Sequence, residues 1–306
     1  LHPGIYSGKL KIMKTFRQFS NHVVTALVCG LTAAAVLLLA FVLFFIVKEA
    51  LPLFDTVGVS DFLLGQKWMP DYTGVTSFGI FNFIAATAYV SLTGLVLAAG
   101  IGLGTAMFLA FQATPRMRTV LYPLIDLLAG IPSVIYGFIG LSVLVKLFLK
   151  AGVHTGSCVL AAGILLAVML LPYLVSSCCD TMLKERKKYL EASAALGVSD
   201  WYAAATMILP AAMPNMLMSM VLAVGRAMGE TMAVMMVMGN ANLFPKLLGK
   251  SESIASVIAL EMGTAVYGSP HYHALYAAGM VLVVLLMTIN LGIHMVRKYL
   301  MGGNAV

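Results

Sequence analysis

One apolar stretch of the sequence carries two ionisable side chains, Arg226 and Glu230, and no other charged residue between positions 211 and 238. Charges within such a stretch are costly and indicate either a functional site or a structural ion pair. The planar guanidinium of arginine matches the oxygens of a tetrahedral oxyanion, because it can donate two hydrogen bonds at once. Glu230 would either orient Arg226 or accept a hydrogen bond from a protonated oxygen of that anion.

The spacing of these residues predicts how a helix presents them. Arg226 and Glu230 are four positions apart, so both lie on one face of a continuous helix. Gly225 and Gly229 repeat that spacing and would allow another helix to approach closely. Thr231 follows directly. We expect this face to line a substrate path, with a buried structural ion pair as the alternative.

A second candidate segment carries Asp126, followed by Gly130-Ile131-Pro132-Ser133. Proline lacks a backbone N–H and bends a helix. Carbonyls freed in this way are tolerated inside a membrane where they are buried in protein or line a watery cavity. The pattern therefore predicts either a constriction formed by Gly130, Pro132 and Ser133, with Asp126 nearby, or an ordinary packed kink.

The sequence presents no catalytic constellation. Residues 249–251 read Gly-Lys-Ser, as at the end of a phosphate-binding loop, but Phe244 stands where that motif requires glycine. His271 and His273 have a spacing that can share a metal, yet no acidic or cysteine partner lies near them in the sequence. We therefore expect these histidines at a docking surface. We expect no catalytic residue, no metal site and no cofactor in this chain, and we do not expect it to be an enzyme.

The elements that position these residues must be membrane helices. The chain has 306 residues, of which 61% are hydrophobic and 10% are charged, whereas a soluble domain carries about 25% charged residues. A helix needs ~20 apolar residues to cross a bilayer. The pattern predicts an all-α, polytopic membrane protein with about six transmembrane helices. The six predicted spans are residues 23–47, 77–111, 119–145, 158–179, 211–238 and 274–296.

Lysine and arginine positions predict the orientation of these spans. Most of them lie before the first span, between the second and third spans, in residues 180–210 and after the last span. We therefore expect both termini in the cytoplasm, a cytoplasmic segment over residues 1–21 and a single transmembrane domain over residues 22–298. The net charge of +7 reflects this topology and does not indicate nucleic-acid binding.

The longest cytoplasmic segment of this topology is residues 180–210. Its alanines and leucines favour a helix before Gly197, and Gly197 suits the left-handed position that closes a helix. Ser199 or Asp200 can cap a second helix, and Pro210 fits the first turn of the next span. The predicted helix, turn and helix would form either a peg for a partner's groove or a solvated connection.

This segment resembles the EAA loop of bacterial ABC-importer permeases. The residues that match the motif and its spacing are Glu191, Ala192, Gly197, Leu209 and Pro210. Ser193 replaces the second alanine of the motif, and Met207 replaces its isoleucine; both changes are mild. The resemblance implies a type I ABC-importer permease fold. It also implies that residues 180–210 dock on a cytoplasmic ATPase and transmit its closure to the pore.

The segments around the charged residues resemble the phosphate-importer branch of these permeases, and its PstC-type subunit more than its PstA-type subunit. The matching segments are residues 128–137 (LAGIPSVIYG), 225–234 (GRAMGETMAV), 238–240 (MGN) and 258–263 (IALEMG). The resemblance implies that Arg226 and Glu230 serve phosphate passage. It also implies a location in the bacterial cytoplasmic (inner) membrane with four kinds of partner. These are a second homologous permease, two ATPase subunits that hold ATP and magnesium, an extracytoplasmic phosphate-binding protein and membrane lipid.

Two alternatives stay open at this point. One is a transporter driven by an ion gradient, with Asp126 and Glu230 as relay carboxylates. The other is an ABC permease for a different oxyanion, such as sulfate or molybdate. The resemblance to a docking loop disfavours the first, because a gradient-driven carrier needs no ATPase. The pair of Arg226 and Glu230 favours phosphate, which offers a protonated oxygen at neutral pH.

Overall fold

The structure is a computed structural model that describes residues 4–70, 76–195 and 197–302 of the chain. Side chains are described for residues 23–70, 76–189, 192, 193, 195, 197–292 and 295. The chain divides into two compact units, residues 1–49 and residues 50–306. Each unit is described by itself below.

The first unit is built by one long helix. Helix α1 (Gly4–Ala50) has 47 residues and therefore measures roughly 70 Å at 1.5 Å per residue. It contains the first predicted span, residues 23–47, whose described side chains are mostly exposed and apolar. Residues 4–21 of the predicted cytoplasmic segment continue the same helix, and residues 1–3 lie outside the described residues.

The second unit begins with short elements at one end of a helical bundle. They are a 3₁₀ turn (Leu51–Asp55), α2 (Val59–Leu64), β1 (Trp68–Met69) and β2 (Ser77–Phe78). The two strands are antiparallel, with Trp68 opposite Phe78. Fully buried side chains of this region and of the helix that follows it form one cluster with two later helices. The cluster includes Phe62, Ile80 and Phe83 from the first part of the unit, and Ile254 and Leu275 from the later helices.

Two long helices form the centre of this unit. Helix α3 (Phe81–Met107) continues as a π-helical turn (Phe108–Gln112), and it packs along α7 (Val159–Ala195). Glycines permit the close contact. A Cβ atom added at Gly94 would lie 2.9 Å from the Cβ of Leu166, and one added at Gly163 would lie 2.6 Å from the Cγ2 of Thr93. Small residues of this kind allow dispersion forces to hold membrane helices together.

The region of the third predicted span is interrupted. Helix α4 (Pro115–Ala129) is followed by a break at residues 130–132, and then by α5 (Ser133–Ile139), a π-helical turn (Gly140–Leu144) and α6 (Val145–Lys150). Pro132 lacks an N–H and disfavours helical backbone in the residue before it, so the helix ends here instead of bending. The part of sufficient length and apolarity to cross a membrane is Ser133–Lys150, not residues 119–145.

The remaining helices complete the bundle. They are α8 (Asp200–Ala203), a π-helical turn (Ala204–Ile208), α9 (Leu209–Met228), α10 (Met232–Met238), α11 (Ile254–Glu261) and α12 (Pro270–Gly302). The described residues include six helices that can cross a membrane, which confirms the predicted all-α architecture with six spans. Their bounds are Val23–Asp55, Phe81–Gln112, Ser133–Lys150, Val159–Tyr189, Asp200–Met228 and Pro270–Gly292.

Candidate functional site

Arg226 and Glu230 lie on opposite sides of a helix end. Helix α9 ends at Met228, and α10 starts at Met232 after a short turn. The expectation that the two charged residues share one face of a continuous helix is therefore wrong. Gly229 is a weak helix former, and the Oε1 atom of Glu230 accepts a hydrogen bond from the backbone N–H of Ala233 at 3.2 Å. This contact starts the next helix, as a capping side chain does.

The two side chains consequently have different surroundings. Glu230 is half-buried, and one of its oxygens is engaged at the start of α10, where a negative charge is favourable. Arg226 is exposed in the last turn of α9, where a positive charge is favourable. Among the described residues, no carboxylate forms an ion pair with Arg226. The guanidinium is thus oriented by its helix and remains available to a ligand.

The surface beside Arg226 is open. A Cβ atom added at Gly225 would meet nothing within 4 Å, and one added at Gly229 would meet only the carbonyls of Arg226 and Gly225, in the last turn of α9. Within the described part of the chain, the close helix approach predicted from these glycines is therefore not made. Thr231 is half-buried, and its hydroxyl donates to the Gly229 carbonyl at 3.3 Å.

The break at residues 130–132 forms a second open surface. Asp126, Gly130 and Pro132 line a depression of about 700 Å³, whereas Ser133 begins α5 and is not part of the lining. The hydroxyl of Tyr136 donates to the Leu128 carbonyl across the break at 2.8 Å. The proline-induced interruption therefore lies directly beside an open depression.

Helix packing brings the two candidate segments to one region. A Cβ atom added at Gly137 of α5 would lie 2.7 Å from the Sδ of Met236 and 3.1 Å from the Cα of Ala233. One added at Gly140 would lie 2.8 Å from Val237. Gly137 thus lies beside Ala233 and Met236, and Gly140, further along α5, lies beside Val237, further along α10. The chain therefore runs in the same direction in the two helices. Their starting ends, after the break at 130–132 and the turn at 229–231, consequently lie at the same end of the pair.

The loop of residues 180–210 has the predicted helix, turn and helix. Helix α7 ends at Ala195, and Gly197 has a φ of +65°. The N–H of Val198 donates to the Ser193 carbonyl at 3.1 Å, and the hydroxyl of Ser199 accepts a hydrogen bond from Tyr202 N at 3.3 Å. Leu209 and Pro210 form the first turn of α9. The glycine closure and the serine cap are both confirmed.

The surface of this loop combines an exposed turn with aromatic side chains. Ala192 and Gly197 are exposed, and Ser193 is buried; the side chain of Glu191 lies outside the described residues. Trp201 and Tyr202 are 60% and 57% exposed, a feature that the sequence analysis did not single out. The available signal was a pair of large aromatic residues, two and three positions after the capping Ser199. A cavity of about 190 Å³ separates the loop from the end of α3; its lining includes Phe111, Gln112, Arg186, Ser193 and Trp201.

The opposite end of the bundle places His271 in the interior. His271 is 6% exposed, and its Nε2 lies 2.8 Å from the Oε2 of Glu261, which also accepts a hydrogen bond from Trp68 Nε1 at 2.8 Å. The expected docking-surface role is therefore wrong for His271, because its side chain connects three segments of the core. Within the part of the chain that the structure describes, no group of three or more His, Cys, Asp or Glu residues is arranged to hold a metal ion.

Glu252 is a buried carboxyl that the sequence analysis missed. It is 6% exposed and lies in the segment between α10 and α11, outside the spanning helices. Burial raises the pKa of Glu252 to about 7, and the negative charge of Glu261 acts in the same direction. No local sequence pattern marks such a residue, since its environment comes from distant segments.

Comparison with protein families gives a match over most of the bundle. Residues 100–300 match the family described as binding-protein-dependent transport system inner membrane component. The chain is 37% identical to the probable ABC transporter permease protein YqgH of Bacillus subtilis, over 83% of this chain and 84% of that protein. It is 34% identical to the phosphate transport system permease protein PstC of Xylella fastidiosa, over the same shares of 83% and 84%.

An archaeal relative and two solved structures extend these similarities. The probable phosphate transport system permease protein PstC of Methanocaldococcus jannaschii is 29% identical over 86% of this chain and 88% of that protein. Two inward-facing structures of the MetNI methionine ABC transporter match with TM-scores of 0.54 and 0.56 at 18% and 15% identity. These matches cover 72% of this chain and 94% and 95% of the solved chains, and they show a shared fold.

Proposed function

Because the chain belongs to the family of binding-protein-dependent transport system inner membrane components, we propose that it is the permease subunit of an ATP-driven importer of inorganic phosphate. Similarity to proteins named as phosphate transport permeases, over most of their length, supports the cargo. The observation that carries the proposal is the exposed guanidinium of Arg226, which stands at a helix end between two open glycine positions of a membrane-spanning bundle.

Arg226 would bind the phosphate oxygens during passage. Its guanidinium can donate two parallel hydrogen bonds, and no described carboxylate competes for them within the chain. Glu230 has one oxygen engaged at the start of α10, so its second oxygen could accept a hydrogen bond from a protonated phosphate oxygen. Sulfate has no proton to offer at neutral pH, and this contact would favour phosphate.

A second, homologous permease would complete the path. The described residues leave two surfaces uncovered: the open glycine face beside Arg226 and the depression lined by Asp126, Gly130 and Pro132. A path shared by two similar subunits would close both, with Ser133 and Thr231 near its wall. Glycines that leave a face open suit the close approach of a helix from such a partner.

Further partners would supply energy and cargo. Residues 180–210, with Glu191 to Pro210 matching the docking motif, would dock in a groove of one of two cytoplasmic ATPase subunits, which would bind ATP and magnesium. An extracytoplasmic phosphate-binding protein would deliver phosphate at the opposite end of the bundle. The chain would lie in the cytoplasmic (inner) membrane with both termini in the cytoplasm. Its relatives are named as transport permeases, and we propose that hydrolysis occurs only in the ATPase partners.

Uptake of radiolabelled phosphate by cells that lack or carry this gene tests the proposal. At low external phosphate, uptake should require the gene and ATP, continue after the proton gradient is collapsed, and resist excess sulfate or molybdate. Uptake that follows the gradient would instead indicate a secondary transporter. Strong competition by sulfate or molybdate would keep the ATP-driven permease and change its cargo.

A further inference from the structure

Two arginines from different helices bind the same end of α3. The Nε and Nη2 atoms of Arg118, on α4, donate to the carbonyls of Leu109 and Ala110 at 2.6 and 2.9 Å. The Nη1 atom of Arg186, on α7, donates to the same Ala110 carbonyl at 2.8 Å. We call these two arginines and two carbonyls the arginine joint.

The joint satisfies backbone groups that the helix itself cannot satisfy. The last carbonyls of a helix have no partner within it, and a buried carbonyl without a hydrogen bond is costly. Leu109 and Ala110 are 1% and 0% exposed, in the π-helical turn that ends α3. A cation is also favoured at this end of a helix. Since a carbonyl oxygen has two lone pairs, Ala110 can accept from both arginines at once.

On one side, the joint includes a residue of the segment 180–210, which we call the docking loop. Arg186 belongs to α7, which is continuous to Ala195, immediately before the turn at Gly197. Its side chain also lines the cavity that separates Ser193 and Trp201 from the end of α3. A displacement of the docking loop would therefore be carried along α7 to Arg186 and then to the Ala110 carbonyl.

On the other side, the joint is connected to the break in the third span. Arg118 lies in the first turns of α4, which runs without interruption to Ala129, the residue before the break. A second contact joins the same helices, because the Tyr122 hydroxyl donates to the Asp180 carboxylate at 3.1 Å. Helix α4 is thus fixed to α7 at its middle, and its last turn borders the depression lined by Gly130 and Pro132.

We propose that the arginine joint is the connection through which movement of the docking loop reaches α4 and the break at residues 130–132. The inference rests on the proposed function, because the movement would come from an ATPase partner. Arg118 and Arg186 are positioning residues in this mechanism: they contact helix carbonyls and do not touch the phosphate.

Substitution by lysine should have different effects at positions 186 and 118. Arg186 uses one nitrogen on one carbonyl, a contact that the single ammonium group of lysine can replace. Arg118 uses two nitrogens on two carbonyls, which the point charge of lysine cannot reproduce in the same arrangement. Lysine should therefore preserve function at position 186 and fail to preserve it at position 118.

The test uses the complete importer, with both permeases, both ATPases and the binding protein, reconstituted in proteoliposomes. Phosphate uptake and ATP hydrolysis are measured together on assembled complexes. For R186M and R118M we expect uptake per ATP to fall roughly tenfold, a typical size for a coupling between sites, while ATP hydrolysis continues. R186K should restore the ratio and R118K should not. R116M is the matched control, because Arg116 is an exposed arginine of the same helix, and it should behave as wild type.

Several results would overturn the inference. Unchanged uptake per ATP in both methionine variants would do so, and so would a proportional loss of hydrolysis and uptake, which would mark a docking or structural role. If the methionine variants fail to assemble, R118K decides, and a wild-type ratio in that variant contradicts the joint. A wild-type importer without ATP-driven phosphate uptake would contradict the proposed function and the joint with it. Normal wild-type uptake with unaffected variants would contradict the joint alone.

Discussion

At the scale of single residues, Arg226 has no carboxylate partner among the residues that the structure describes. It stands in the last turn of α9, where the helix dipole favours a cation, and it is exposed beside two glycines. A carboxylate in permanent contact would compete with an anion for the guanidinium. The half-buried Glu230 is instead engaged with the backbone of Ala233. We propose that this separation would let the two residues contact a passing anion one after the other.

The two-donor geometry of Arg226 can be tested with R226K and R226Q. Lysine keeps the charge but loses the planar pair of donors, so the KM for phosphate uptake should rise roughly tenfold, as expected for the loss of one hydrogen bond to a charged group. Glutamine should abolish uptake. Both variants should assemble normally, as judged by purification of the intact complex, and R116K is the control. Loss of assembly in R226K would indicate a structural role instead.

Glu252 gives the fold a pH dependence at the end opposite the docking loop. Burial and the charge of Glu261 raise the pKa of Glu252 to about 7, above its value of 4.5 in an unfolded chain. Between these values the folded protein holds a proton that the unfolded chain releases. The free energy of unfolding therefore falls as pH rises from ~4.5 to ~7, by about 3 kcal/mol in total for this group.

The variant E252Q should remove this dependence. Thermal unfolding of the purified permease in detergent should show E252Q gaining stability relative to wild type as pH rises from 5 to 7, roughly following the linkage relation. The contact of His271 with Glu261 is present in both proteins, so most of its contribution cancels in the difference. A stability difference that is constant across this pH range would contradict the raised pKa.

At the scale of elements, glycines decide how closely α3 and α7 approach. A Cβ at Gly94 would lie 2.9 Å from Leu166, whereas a Cβ at Gly100 of the same helix would meet nothing within 4 Å. G94A should therefore destabilise the protein by about 1–3 kcal/mol through overpacking. G100A should be neutral or slightly stabilising, because alanine favours helix. Equal thermal unfolding midpoints for G94A and G100A would contradict the close approach of α3 and α7 at Gly94.

The turn at Gly197 depends on backbone conformation and not on space. Gly197 has a φ of +65°, and an added Cβ would meet nothing within 4 Å. Asparagine tolerates left-handed backbone, whereas a β-branched residue strongly disfavours it. G197N should therefore keep phosphate uptake coupled to ATP hydrolysis, and G197V should uncouple them, as measured by the ratio of the two rates in the reconstituted importer. Coupled uptake in G197V would count against the turn as the docking element.

The two helix breaks show what the sequence can and cannot predict. Pro132 predicts the first break, because a proline removes a helical hydrogen bond. The sequence analysis expected only a bend there, whereas α4 ends completely and a new helix begins at Ser133. The second break, after Met228, was missed. Residues 232–238 are alanine, valine and methionine, which read as a continuation of an apolar helix. In the structure, the Glu230 carboxylate accepts a hydrogen bond from the N–H of Ala233 in the first turn of α10, a contact that spacing alone does not reveal.

At the scale of the whole molecule, composition was sufficient for the architecture. Long uncharged stretches predict spanning helices because of the bilayer's thickness, and six such helices are found among the described residues. The arginine joint was not predictable in the same way. Its acceptors are backbone carbonyls of Leu109 and Ala110, and every residue has such a carbonyl. The carbonyls of Leu109 and Ala110 become the acceptors only because α4 and α7 pack against the end of α3.

Three surfaces of the second unit are open in the structure. One end carries an exposed turn with Trp201 and Tyr202, and the bundle carries an uncovered guanidinium and an uncovered depression beside a broken span. None of these surfaces is completed by the described residues of the chain itself. The proposed permease, which would share its path with a homologous partner and take its energy from an ATPase, would account for all three.

Reconstitution of the complete importer tests this account most directly. Proteoliposomes would contain ATP inside, with the binding protein and radiolabelled phosphate outside, and would carry wild-type permease, R226Q or the control R116Q. The account predicts ATP-dependent accumulation of phosphate with wild type and R116Q, and no accumulation with R226Q, although all three complexes assemble and hydrolyse ATP. ATP hydrolysis by the wild-type importer without phosphate accumulation, or equal accumulation with R226Q, would contradict it.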